Sequence, residues 1–228
     1  MNTSEPLILI IETSETTCSV CLSKGTAVIA EKQHTEANSH ATVLAVMVQE
    51  MFQENNLKPN ELNAVAISAG PGSYTGLRIG ASFAKGICFV NQIPLIAIST
   101  LKAMAIGFIS CKKNNNKLLC PMIDARRMEV YTAVFNEKFE NILPEQPLVL
   151  HEESTSIFDI ENTVFFGSGA HKILQINPKA NTYNGFSLNA THFIAEANIS
   201  FINKQFVNMA YFEPNYIKAF HSTAKISE

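Results

Sequence analysis

Short apolar runs, followed by a helical spacing of apolar residues, mark the start of the chain. Leu7–Thr13 is apolar on both faces, which predicts a strand that is buried on both sides. Thr17–Ser23 and Thr26–Gln33 predict two more strands that form a meander with the first. In Ser39–Asn55 the apolar residues recur at intervals of three and four, so we predict a helix there.

Strands and helices alternate from this helix to the polar run CKKNNNK at residues 111–117, which predicts a loop between two lobes. The elements predicted in between are a strand at Asn63–Ala69, a helix at Thr75–Val90, a strand at Ile93–Ile98 and a helix at Ser99–Ile109. The resulting order, βββαβαβα, is typical of an α/β fold.

The second half of the chain repeats the opening of the first. Leu118–Asp124 is an apolar strand that ends in an acid, as the first strand ends near Glu12, and Glu129–Phe135 follows as its hairpin partner. Any two α/β segments share some likeness, but here the features also agree in order. We therefore predict a duplicated α/β unit with a cleft between two lobes, residues 1–110 and 111–228, and a last helix that can pack back on the first lobe. The other elements predicted in the second lobe are strands at Pro147–Leu150 and Thr163–Phe166 and helices at Ala170–Ile176 and Ala190–Gln205.

Composition limits what the chain can bind by itself. Only 16% of the 228 residues are charged, against about 25% in a typical domain, and 46% are apolar. Such a surface is typical of a protein that buries apolar area against a partner. The net charge is −3 and only Arg78, Arg126 and Arg127 are arginines, so we expect any RNA contact to be shared with another subunit. The N-terminal apolar run Leu7–Ile11 is too short for a membrane span or a signal peptide, which predicts a cytoplasmic protein.

The glycine-rich run GPGSYTGLRIG, Gly70–Gly80, lies between a predicted strand and a predicted helix. Gly70 and Gly72 allow a sharp turn, and Ser73 or Thr75 can cap the helix. A helix N-terminus behind glycines also attracts anions, although the spacing is neither that of a P-loop nor GxGxxG. A structural turn and an anion site both remain open.

Two helices carry apolar residues on more than one face, which predicts a surface for a partner protein. In the helix after the glycine-rich run, Gly76, Gly80 and Ala84 recur every four residues, as if another helix packed closely there. The alternative is an interior helix of a single lobe. If the surface binds a partner protein, Gly80→Leu or Met47→Glu should separate this chain from its partner without unfolding it. The predicted interface residues are His40, Leu44, Met47, Val48, Met51, Gly76, Gly80, Phe83, Ala84 and Ile87.

Several stretches of sequence, taken in order, carry a resemblance to one family. They are LILIIETSETTCSVCLS near the N-terminus, the run GPGSYTGLRIG, Ile98–Leu101, MIDAR followed by EVY at residues 122–131, and Glu213–Tyr216. Together they resemble the TsaB family, the small bacterial partner subunits of the machinery that makes threonylcarbamoyladenosine in tRNA. The resemblance extends from residue 7 to about residue 218 and is strongest over the first 131 residues.

The resemblance implies a duplicated fold of the actin-like and sugar-kinase-like (ASKHA) type. It implies a heterodimer with a catalytic TsaD-type paralogue, a TsaE-type ATPase nearby, and transfer of threonylcarbamoyl to the adenosine beside the anticodon. The chain itself would then be a non-catalytic scaffold, with ATP or ADP bound only within the complex and tRNA contacted only through it. Glu12 and Asp124 stand where active members of the fold hold metal and phosphate, so the resemblance implies that they are vestigial acids.

The histidines and cysteines indicate no catalytic centre of their own. No two histidines are three or four residues apart, so no helical metal pair is predicted, and no nucleophile has a histidine pattern to activate it. Cys18 and Cys21 fall on opposite faces of a predicted strand, which favours core packing. The other readings are a stand-alone actin-fold ATPase or kinase, and a homodimer that uses the same helix surface.

Overall fold

The computed structural model describes residues 5–36, 38–111 and 117–217, and within them two five-stranded sheets. The first sheet has the order β3-β2-β1-β4-β5. β1 pairs antiparallel with β2 and β2 with β3, whereas β4 and β5 continue the sheet in parallel on the other side of β1. The strands are β1 (Leu7–Glu12), β2 (Cys18–Lys24), β3 (Ala27–His34), β4 (Ala64–Ser68) and β5 (Leu95–Ile98).

The second sheet has the equivalent order, β8-β7-β6-β9-β10, with the same strand directions. The predicted duplication and the α/β fold class are therefore confirmed. β10 was not predicted from the sequence, because it is short and polar. The predicted start of β8 lies six residues after the observed one, because Pro144 and Pro147 lie within this edge strand. The strands are β6 (Leu118–Asp124), β7 (Glu129–Phe135), β8 (Asn141–Val149), β9 (Thr163–Phe166) and β10 (Asn181–Tyr183).

Helices cover the two faces of the first sheet. Residues of α1 and α2 share a core with Leu9 and Ile11 on one face, and residues of α3 and α5 share a core with Ile8 and Ile10 on the other. Cys18 and Cys21 lie in these two different cores, as the alternation of a strand predicted. The helices are α1 (His40–Glu54), α2 (Tyr74–Asn91), α3 (Thr100–Cys111), α4 (Ile173–Ile176) and α5 (Ile194–Ile202), with short 3-10 helices at Pro59–Glu61, Glu153–Ile157, Ala170–Lys172 and Ala190–Phe193.

The two predicted helices of the second half are shorter and more broken than the pattern indicated. The segment predicted as Ala190–Gln205 is a 3-10 turn followed by α5, which ends at Ile202 and packs against β1 and β5. The segment predicted as Ala170–Ile176 is likewise a 3-10 turn followed by the single turn of α4. None of the helices in the described ranges is both long and apolar enough to cross a membrane.

After α5 the chain returns across the first lobe as an extended strap. Val207 N–H donates to the carbonyl of Leu95 at 3.0 Å, and Asn215 N–H donates to the carbonyl of Ala69 at 2.6 Å. The ring of Tyr216 lies 4.7 Å from that of Tyr74 at the start of α2. The strap therefore covers the edge of the first sheet and ends on the glycine-rich run.

Candidate functional site

A cleft of about 380 Å³ lies between the lobes. The β1–β2 turn forms one wall, and the segment after β9 together with residues 184–188 forms the other. Most of its lining is polar or small, and His171 is the only basic residue of the described lining. The lining residues are Glu15, Thr16, Thr17, Gly167, Ser168, His171, Asn184, Phe186, Ser187 and Leu188.

Glu12 ends β1 as a buried acid. Its Oε1 accepts hydrogen bonds from the N–H and the hydroxyl of Ser14, so it orients the turn that follows β1. Its Oε2 has no hydrogen-bond partner among the described residues. Burial raises the pKa of Glu12 to about 7, because the hydrogen bonds from Ser14 offset only part of the desolvation.

Glu15 joins the two lobes at the cleft. Its Oε1 accepts a hydrogen bond from the hydroxyl of Ser168 in the second lobe, and burial raises its pKa. Its carbonyl lies 3.0 Å from Nε2 of His40, and since a carbonyl only accepts, the imidazole donates. His40 was predicted as an interface residue, but it is buried at the start of α1, where its hydrogen bond to the carbonyl of Glu15 holds the β1–β2 turn in place.

Asp124 ends β6 as Glu12 ends β1, yet it is partly exposed and paired with a cation. Lys172 Nζ donates to Asp124 Oδ1 at 2.6 Å and to the carbonyl of Glu129 at 2.9 Å. Burial alone would raise the pKa of Asp124, but the hydrogen bonds from Lys172 and from Arg126 N–H outweigh it, and the pKa is lowered. Both acids predicted as vestigial thus stabilise turns in this structure.

The glycine-rich run forms a packed turn and a helix cap. Ser73 Oγ accepts from Gly76 N–H at 3.2 Å, and Ser73 N–H donates to the carbonyl of Ser14 at 2.6 Å. A Cβ on Gly72 would lie 2.4 Å from that same carbonyl, and one on Gly70 would lie 2.7 Å from the carbonyl of Asn215. Thr75, the other predicted cap, is exposed, and the turn faces chain atoms of β1–β2 and of the strap.

Gly76 and Gly80 were interpreted as room for a partner helix, and this interpretation is wrong. A Cβ on Gly76 would lie 2.0 Å from the carbonyl of Thr13, and one on Gly80 would lie 2.3 Å from Thr13 Oγ1. The two glycines therefore let α2 approach the end of β1 in the same chain. The side chain introduced by Gly80→Leu would clash with Thr13, so this substitution would test folding rather than partner binding.

Most predicted interface residues of α1 also face the core of the first lobe. Ala84 of α2 lies in the same core, because both helices pack on the same face of the sheet. A charge at Met47 would therefore unfold the lobe rather than separate a partner. The buried members of the predicted set in this core are Leu44, Met47, Val48, Met51 and Ala84.

An apolar groove of about 370 Å³ lies between α1 and α2 on the outside of this core. Phe83 and Ile87, which the sequence predicted for the interface, line it and are half-buried. Val48 was predicted as well, but the rest of the lining was not, because the prediction followed the most apolar face of each helix and that face points inward. The other lining residues are Ala45, Val48, Gln49, Phe52, Gln53, Leu57 and Pro59.

No group of three or more His, Cys, Asp or Glu side chains within the described ranges is arranged to hold a metal ion. The four cysteines whose side chains are described, Cys18, Cys21, Cys88 and Cys120, are buried as free thiols, and burial raises the pKa of each.

The two equivalent sheets with an intervening cleft form a duplicated α/β fold of the actin-like, sugar-kinase-like type. A fold likeness of TM-score 0.51 at 9% identity relates the chain to an activator of 2-hydroxyisocaproyl-CoA dehydratase from Clostridium difficile, covering 89% of this chain and 98% of that one. A protein from Pseudomonas aeruginosa described as similar to the peptidase YEAZ superposes more closely, with a TM-score of 0.80 at 23% identity over 93% of this chain and 100% of that one.

The family model of TsaD, tRNA N6-adenosine threonylcarbamoyltransferase, matches residues 27–217, and the chain belongs to this family. A curated relative of matching length is the tRNA threonylcarbamoyladenosine biosynthesis protein TsaB of Bacillus subtilis, which is 27% identical over 226 residues, 96% of each chain. The resemblance to TsaB that the motifs carried is therefore confirmed.

Proposed function

We propose that this chain is a non-catalytic subunit of the machinery that forms threonylcarbamoyladenosine in tRNA, and that it docks onto a TsaD-type catalytic subunit. The observation that carries the proposal is the groove between α1 and α2. Seven of its lining residues are apolar and two are glutamines, so an apolar helix face fits it better than a charged ligand does.

The groove has the anatomy of a helix-docking surface. The inward faces of α1 and α2 hold it rigidly on the first sheet, while Phe83 and Ile87 remain partly open to solvent. Partly exposed aromatic and branched side chains on a rigid scaffold are what binding hot spots require. An insertion of one or two apolar side chains from the partner would cover them.

The cleft supports a scaffold role rather than an independent kinase. Its wall carries the carboxylate of Glu15, and His171 is the only basic residue of the described lining, whereas phosphate sites need converging N–H groups or cations. We propose that ATP or ADP enters the assembly through the TsaD-type and TsaE-type subunits, and that tRNA is bound by the complex as a whole.

A surface variant tests the docking. Ala45 is exposed in α1 and lines the groove, so Ala45→Glu leaves the core intact and places a carboxylate in the interface. We expect the wild-type chain to co-elute with the TsaD-type subunit on a sizing column, and the variant to bind at least about tenfold more weakly, because a buried unpaired charge is costly.

Ile142→Glu is the matched control, because Ile142 is an exposed apolar residue on β8 in the other lobe. It should co-elute like the wild type. Separate elution of the wild-type proteins, or equal binding by Ala45→Glu, would contradict the proposal. If the chain alone forms a dimer that Ala45→Glu dissociates, the homodimer hypothesis is favoured. If the isolated chain binds ATP in the presence of magnesium and hydrolyses it or transfers its phosphate, the kinase or ATPase hypothesis is favoured.

A further inference from the structure

The turn between β6 and β7 holds two successive arginines in a backbone conformation that side chains disfavour. Arg126 has φ +67° and Arg127 has φ +44°. In this left-handed region the Cβ crowds the backbone, and glycine, asparagine or aspartate usually occupies it. Two of the three arginines in the chain therefore occupy positions where local structure would favour glycine.

Buried and polar contacts hold this turn in place. Arg126 N–H donates to Asp124 Oδ1 at 2.6 Å, and Glu129 N–H donates to the carbonyl of Arg126 at 3.1 Å. Asp124 is in turn paired with Lys172, which is buried and also bonded to the carbonyl of Glu129. The surrounding lobe thus stabilises the turn, which explains how the disfavoured backbone persists.

The two guanidinium groups are exposed and can bind an external partner. Both arginines are exposed, and neither side chain has a hydrogen bond or an ion pair with any residue in the described ranges. Lys172 already forms an ion pair with Asp124, so that carboxylate does not pair with the arginines. The turn is therefore a small basic spot on a chain whose net charge is −3.

The turn also stands beside the cleft between the lobes. Asp124 N–H donates to Ser168 Oγ at 3.0 Å, and Ser168 bonds in turn to Glu15 across the cleft. The turn thus follows directly after Asp124, which is bonded to a residue of the cleft wall, and it belongs to the second lobe. The groove between α1 and α2 is on the first lobe, so a partner in the groove leaves the turn available.

We propose that Arg126 and Arg127 contact the phosphodiester backbone of tRNA in the assembled complex. This inference rests on the proposed function, which supplies the complex. Exposed guanidinium forks on a rigid turn suit phosphate oxygens, which they bind in pairs and with charge-assisted hydrogen bonds. An acidic chain can contribute to RNA binding only through such a local basic spot, and this is the role predicted for a subunit that shares its RNA with another.

The test replaces both arginines by glycine, Arg126→Gly with Arg127→Gly. Glycine suits the backbone of the turn, so we expect the variant to unfold at the same or a higher urea concentration than the wild type. Its complex with the TsaD-type subunit should bind a tRNA transcript about tenfold more weakly. The plot of log K against log salt concentration should become shallower by about 2, one unit for each lost phosphate contact.

Lys138→Ala with Lys179→Ala is the control, because it removes the same charge from two exposed lysines of the same lobe. It should leave tRNA affinity and the salt slope unchanged. Equal tRNA affinity of the glycine variant and the wild type would overturn the inference. Loss of co-elution of the glycine variant with the TsaD-type subunit would also overturn it, because the arginines would then bind protein. So would disappearance of the difference in tRNA affinity when ADP is added, because the arginines would then bind a nucleotide.

Co-elution on a sizing column is read separately, so failure of the proposed function is distinguishable. If the wild-type proteins do not co-elute but tRNA binding by their mixture still depends on the two arginines, the docking proposal fails, and the arginines contact tRNA without the complex. If the mixture binds tRNA independently of the arginines, the assignment fails whatever the state of the complex.

Discussion

The β1–β2 and β6–β7 hairpins are equivalent by duplication but differ in their electrostatics. In both, a carboxylate at the end of the first strand accepts a hydrogen bond from the N–H two residues on, at 2.6 Å in each case. Glu12 is buried without a cation and its pKa is raised to about 7, whereas Asp124 is paired with Lys172 and its pKa is lowered. The same local motif thus holds a buried acid with a raised pKa in one lobe and an ion-paired acid with a lowered pKa in the other.

The packing of neighbouring elements explains this difference. The start of α2 covers the first hairpin: Gly72, just before the helix, lies against Ser14, and Gly76 and Gly80 lie against Thr13. In the second lobe α3 packs on the strands β6 and β7, while the short 3-10 helix Ala170–Lys172 lies near their turn. The arginines of this turn therefore reach solvent, and Lys172 lies beside Asp124. A long helix thus covers the turn of the first hairpin, and the turn of the second hairpin is left exposed and charged.

The largest effect should come from breaking the cover of the first hairpin. Gly76→Ala places a Cβ 2.0 Å from the carbonyl of Thr13, which neither helix nor strand can avoid without moving. We expect destabilisation of about 3 kcal/mol or more, measured by urea unfolding. Gly86→Ala in the same helix is the control, since its Cβ would meet no atom within 4 Å, and it should gain about 0.5–1 kcal/mol. Equal stability of the two variants would contradict the close approach.

A second prediction concerns the charge of Glu12. Its folded pKa of about 7 lies above the ordinary value of 4.5, so the folded chain binds a proton that the unfolded chain releases. Stability should therefore fall as the pH rises between these values, by roughly 3 kcal/mol in all, and change little from this group above them. Glu12→Gln should flatten the fall and be more stable than the wild type at alkaline pH. Parallel pH profiles of the free energy of unfolding for the two proteins would show that the pKa of Glu12 is not raised in the folded chain.

The smallest effect should come from the ion pair of the second hairpin. Lys172→Met removes the cation from Asp124, but the Asp124 side chain is 41% exposed and water replaces part of the loss. We expect about 1–2 kcal/mol of destabilisation at neutral pH. Because the pKa of Asp124 is lowered, the difference should shrink as the pH falls through its folded value. Lys179→Met, at an exposed lysine of the same lobe, should have no effect, and an equal loss there would argue against the pair.

The strands, the duplication and the helix caps were predictable because they depend on local patterns. Apolar runs located β1, β4, β6 and β9, and Ser73 was recognised as a cap. The return of the strap after α5 to Leu95 and Ala69 was not predictable, because nothing local in the sequence indicates it.

The site was less predictable than the fold. Two features were interpreted as signs of a partner protein: α1 carries apolar residues on more than one face, and glycines recur every four residues in α2. Met51 instead fills the lobe's own core, and Gly76 admits the carbonyl of Thr13. Small residues are needed wherever two elements pack closely, whether these belong to the same chain or to two chains. The spacing of glycines alone therefore does not distinguish the two cases.

The sequence by itself determined the kind of elements, their order, the repeated acid at the end of a strand and the family resemblance. Only the tertiary structure decided which face of α1 and α2 remains open, that His40 fastens a turn, and that one acid is buried and the other paired. The physical reason is that periodicity reports burial but not what causes it. Electrostatics depends on neighbours distant in sequence, such as Lys172 for Asp124 and Ser168 for Glu15.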